Sequence, residues 1–160
     1  MSDLGGDPAC WAHLSERHDL ATRADVALLV QTLYRAAAMD DILGPVFAAA
    51  GVDWPEHLAT VTDFWMWQLL GVRGYEGNPL RAHEPANRVT PFEEAHFTRW
   101  LALFEETVDE HFEGPVAERA KGRAAKMAQA LARLLRGESS PGAVPIEVLP
   151  VTNQRRSSGP

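Results

Sequence analysis

Four side chains from separate stretches of the sequence could do chemistry together: Tyr34, His57, His83 and Trp100. A tyrosine O–H and a tryptophan N–H are donors that need a partner once buried. An imidazole donates from one nitrogen and offers a lone pair from the other. Tyr34, His57 and Trp100 each rise from an otherwise apolar helical pattern, whereas His83 closes the turn-rich stretch Gly71–His83, GVRGYEGNPLRAH. Taken singly, each has a packing explanation, because aromatic stripes at helical spacing are usually core. Taken together, they predict three donors converging on a pocket with a histidine opposite.

Competing chemistries fit less well. Glu93 and His96 make one E-x-x-H pair, a motif that di-iron bundles use twice, and no second copy exists. His13, His18 and His111 lie in polar or terminal contexts, so a compact zinc set is lacking. No G-x-S-x-G is present, and the single cysteine, Cys10, falls in an N-terminal extension. The Gly71–His83 stretch has neither a preceding strand nor a following Lys-Ser/Thr, so it is no phosphate loop.

The elements that must position these residues are helical. Residues 1–20 read as an extension and 138–160, rich in Pro, Ser and Gly, as a disordered tail, leaving one domain over 21–137. Thr22 and Asp25 have capping-box spacing, and Val26, Leu29, Val30, Leu33, Tyr34 and Ala37 then follow the helical period. Asp40, Asp41, Gly44 and Pro45 end that helix, with Val46 and Phe47 in a tight corner. A second helix runs from about Pro55 to Leu70, with Leu58, Val61, Phe64, Trp65 and Leu69 as its stripe and His57 sharing it. Thr90, Pro91 and Glu93 predict the start of a third, reaching Phe112, with Phe97, Trp100, Leu101, Phe104 and Val108 inward. A fourth covers Val116–Arg136, with Val116, Ala120, Met127, Leu131 and Leu134 inward and Gly137 as its stop. The only strand signal is a weak patch at Ile146–Val151 in the tail. The class is all-α: four main helices with a loop-rich middle.

Composition narrows the partners. The net charge of −7 makes nucleic acid and anionic membrane poor partners. A single cysteine forbids an internal disulfide, and the acidic, glycine-rich start MSDLGGDP is unlike a secretory signal. No apolar run approaches the roughly 18 residues needed to span a bilayer. These features together predict a cytoplasmic protein.

The pieces LYRAAAMDDILGPVF, DWPEHL, FWMWQLLGVRGYEGNPLRAH and HFTRWLALFEETVDEHF, in that order, resemble the truncated haemoglobins of group III. The resemblance spans Asp25 to Leu134 and neither extension. It implies a shortened globin fold in which helices sandwich a haem b. The haem would be held non-covalently, since the C-x-x-C-H attachment motif is absent. His83 then matches the proximal iron ligand, Tyr34 the distal tyrosine, His57 the distal-helix histidine and Trp100 the distal tryptophan. Phe47 matches the phenylalanine that packs on haem in globins, and Phe64 and Trp65 match pocket-side positions of the distal helix. Arg81 is the candidate propionate partner. His96 departs from the pattern, where a larger apolar residue is usual.

The resemblance implies that O2, NO or CO binds at the iron, with an unidentified reductase as partner. Donors aimed at bound O2 would hold it tightly, so reaction of O2 with NO, or peroxide chemistry, is expected rather than O2 transport. His57 would gate the pocket or bind iron itself. A different class of reading is a cofactor-free helical bundle acting as an interaction module, with Trp54, Trp65, Trp67 and Trp100 as core or interface. A third is a haem carrier without redox activity.

Overall fold

The first helix starts where a local hydrogen-bond pair makes it start. Thr22 Oγ1 accepts from the Asp25 N–H at 3.2 Å, and the Asp25 carboxylate accepts from the Thr22 N–H at 2.8 Å. This reciprocal box satisfies donors that a helix start leaves open. The structure, a computed structural model, describes residues 17–137. Its elements are α1 (Arg23–Met39), α2 (Gly44–Ala50), α3 (Trp54–Leu70), α4 (Pro79–Val89), α5 (Glu94–His111) and α6 (Pro115–Leu135). No strand occurs among the described residues; one isolated bridge pairs His18 with Phe112. The Ile146–Val151 patch lies outside them.

α1 is central, packing against α2, α3 and α5; α5 also packs on α6, and α4 spans α2 and α6. Every residue of the apolar face expected on α1 is buried. At its end, the Asp40 carboxylate accepts from the Ile42 and Leu43 N–H groups, at 3.0 and 3.1 Å, and from Arg99 Nε at 2.7 Å. That ties the corner to α5. Gly44 allows the tight approach there, because a Cβ would lie 2.8 Å from the Ala38 carbonyl oxygen.

Four long helices follow the expected pattern, and two shorter ones join them. The corner holding Val46 and Phe47 is the seven-residue α2. His83 does not close a loop: it sits inside α4. Asn78 and Pro79 are a cap and a first-turn residue, and Asn78 Oδ1 accepts from the Leu80 and Arg81 N–H groups at 3.0 and 3.3 Å. α5 likewise begins later than Thr90. The Asn87 side chain takes the Phe92 N–H at 2.8 Å, and Thr90 closes α4 through Ala86. Glu93 becomes the cap residue of α5.

Long-range contacts close the fold. Asp19 accepts from the Val116 and Ala117 N–H groups at 2.9 and 2.8 Å, capping α6 from the other end of the chain. Beside it Leu20 is buried, so residues read as the end of an extension pack into the core. The inward face of α6 is largely alanine (Ala117, Ala120, Ala124, Ala128, Ala132), which lets α5 approach closely. Leu134, expected inward, is exposed.

Candidate functional site: an aromatic cavity between two histidines

A cavity of about 250 Å³ opens between α3 and α4, with walls from α1, α2, α5 and α6. Its lining is mostly apolar. Tyr34, Phe47, His57, Phe64, Trp65, His83 and Trp100 all reach it, so seven of the eight residues singled out from the sequence converge. The eighth, Arg81, is exposed and outside the lining. Arg81 precedes His83 by two residues, which turns it about 200° around the helix, to the far side.

Tyr34 sits at the inner end. Burial pushes its hydroxyl up to about 12, only partly offset by a hydrogen bond from the Trp100 side chain. An indole N–H can only donate, so the phenol oxygen is the acceptor and its own proton remains available. Phe47, Trp54 and His57 surround the Tyr34 ring, with centroids 5.9, 6.4 and 4.9 Å away. The Tyr34–His57 pair is edge-on, at 87°.

The histidines differ in which nitrogen is free. His83 Nδ1 lies 2.6 Å from the Pro79 carbonyl oxygen. A carbonyl only accepts, so Nδ1 carries the proton and Nε2 keeps its lone pair. This is how a metal-binding imidazole is oriented by an outer partner. His96 is the reverse: the Glu93 N–H donates to its Nδ1 at 2.8 Å, so the proton is on Nε2. His57 is a third case. Its Nε2 is buried without any hydrogen-bond partner. Burial lowers its pKa, and the nearby His83 adds to the effect, so His57 is held neutral.

An orphaned buried nitrogen costs roughly 1–3 kcal/mol unless something occupies the space before it. His83, His57 and Tyr34 line one cavity whose other walls are mostly aromatic and aliphatic. These residues fit a flat apolar cofactor carrying a metal. They do not fit a bare metal ion: no group of three or more His, Cys, Asp or Glu that could hold one exists among the described residues. Glu93 and His96 serve the start of α5 instead of a di-iron pair.

Tyr75 and Phe92 were not singled out from the sequence, and they line the cavity from the α3–α4 and α4–α5 connections. Val46, read as a corner residue, and His96, read as a departure from the family pattern, line it from α2 and α5. His96 was detectable as one helical turn before Trp100, on the same face. Tyr75 and Phe92 lie in irregular segments, where periodicity gives no signal.

No family model matches the chain. It is 32% identical over 97 residues to the group 3 truncated haemoglobin ctb of Campylobacter jejuni, covering 58% of this chain and 74% of that protein. Among solved structures it is similar to the group III truncated haemoglobin from Campylobacter jejuni. That match has a TM-score of 0.67 and 29% identity, over 78% of this chain and 99% of the other.

Proposed function

The chain belongs to the group III truncated haemoglobins, whose membership implies a haem, and from that premise we propose that it holds haem b non-covalently between α3 and α4 and binds O2, NO or CO there. The observation that carries this reading is the 2.6 Å contact of His83 Nδ1 with the Pro79 carbonyl, which leaves Nε2 unprotonated toward the cavity wall it lines. When bound, the haem supplies an iron with an open position for a diatomic gas.

The chain's own residues do the rest. His83 anchors through Nε2, and the Pro79 carbonyl fixes the orientation and tautomer of its ring. Tyr34 offers its hydroxyl proton to whatever binds opposite, with Trp100 holding the phenol oxygen. Neutral His57 stands beside it, able to donate or to occupy the site itself. Phe47, Phe64 and Trp65 keep water out, which strengthens each hydrogen bond made inside. Donors of this strength favour retention, so reaction of O2 with NO, or peroxide chemistry, suits the site better than transport. Such turnover requires electrons from a reductase. No helix among the described residues is long and apolar enough to cross a membrane, and we place the protein in the cytoplasm.

Titrating the purified protein with haem tests the reading. A Soret band saturating at one equivalent, and shifting when CO is added to the reduced form, is expected. A protein that stays colourless would favour the cofactor-free bundle.

A further inference from the structure

His83 and His96 flank Phe92, with ring centroids 6.3 and 6.4 Å from it, and both line the cavity. The role of His83 is accounted for. That of His96 is accounted for only by half. Its Nδ1 accepts from the Glu93 N–H at 2.8 Å, which caps α5. Its Nε2–H makes no hydrogen bond among the described residues. Capping does not require a histidine, because Glu and Gln fill this third helical position ordinarily. A glutamate here would cap equally well but would put a negative charge on the cavity wall. Histidine caps with one nitrogen and presents a donor with the other.

A porphyrin is apolar across its face and carries two carboxylates at its edge. Those carboxylates need donors or water where the ring meets the cavity rim, and Arg81 lies off the lining. We infer that His96 holds a porphyrin carboxylate through its Nε2–H, as a binding residue separate from the iron anchor. The inference rests on the haem reading and adds a second point of attachment to it.

The test uses iron-free porphyrins, so that His83 takes no part. Protoporphyrin IX and its dimethyl ester are titrated into wild type, His96→Glu and His96→Gln, with binding read from porphyrin fluorescence. Both substitutions keep an acceptor for the Glu93 N–H, so α5 keeps its cap. Wild type should prefer the diacid over the ester. His96→Glu should lower that preference by about tenfold, and His96→Gln should keep it within about threefold. An unchanged preference in His96→Glu, or none in wild type, overturns the inference. If wild type takes up haem but neither iron-free porphyrin, the inference falls; if it takes up no haem either, the haem reading falls.

Discussion

The Trp100 indole N–H donates to the buried hydroxyl oxygen of Tyr34, joining α5 to α1 at the inner end of the cavity. In the proposed function the phenol proton is left for a bound ligand, and Trp100 acts on that ligand through Tyr34. Tyr34→Phe should speed O2 release by about tenfold or more, the worth of a hydrogen bond to a charged acceptor. Trp100→Phe should do less, and the double variant should show less than the sum. Stopped-flow displacement of O2 by CO measures all three; additive effects would mean the pair is not coupled.

Removing the imidazole of His83 tests the anchor. His83→Gly should lose haem far faster than wild type, measured by transfer to apomyoglobin. Added imidazole should restore the ferric spectrum, because it can replace the lost ring. Wild-type retention without imidazole would reject His83 as the ligand.

His57 Nε2 is buried and unpartnered, so an apolar residue of similar size should fit the haem-free protein better. His57→Leu is expected to raise the stability of that form by about 1 kcal/mol, seen in urea melts. Destabilisation would show that the ring is satisfied in solution.

Gly114 has φ 139°, and a Cβ there would lie 2.6 Å from the Asp19 carboxyl carbon. Gly114→Ala should therefore displace Asp19 from the start of α6. A loss of about 2 kcal/mol is expected from backbone strain plus the lost cap, read by thermal denaturation. A Tm equal to wild type would remove the Asp19 cap from the account.

Asp25 gives a pH signature. Burial works against its carboxylate, but hydrogen bonds from His18, Thr22 and the Ala21 and Thr22 N–H groups outweigh this and bring its pKa from 3.8 to about 2. A carboxyl lowered on folding contributes stability above its unfolded pKa, and that contribution fades as pH falls from about 4 to about 2. Asp25→Asn should cost about 2 kcal/mol at pH 7, and the gap to wild type should close below pH 4. A gap constant across pH would contradict this.

The sequence by itself determined whatever depends on neighbours three or four residues apart. Val26 to Ala37 recur at helical spacing, and the whole face is buried as read. Thr22 with Asp25 and the proline after Trp54 mark starts because capping is a short-range hydrogen-bond problem. The meeting of Tyr34, His57, His83 and Trp100 from four helices is not set by spacing; the family resemblance implied it, and all four line one cavity. α4 was harder: it has no buried residues, so no apolar period revealed it, and its prolines and Asn78 read equally well as a loop. Only the tertiary structure decided the rest. Asp19 caps a helix 97 residues away, and Arg99 binds Asp40 across 59 residues. Each depends on which groups the folded chain brings alongside, and spacing along the sequence does not encode that.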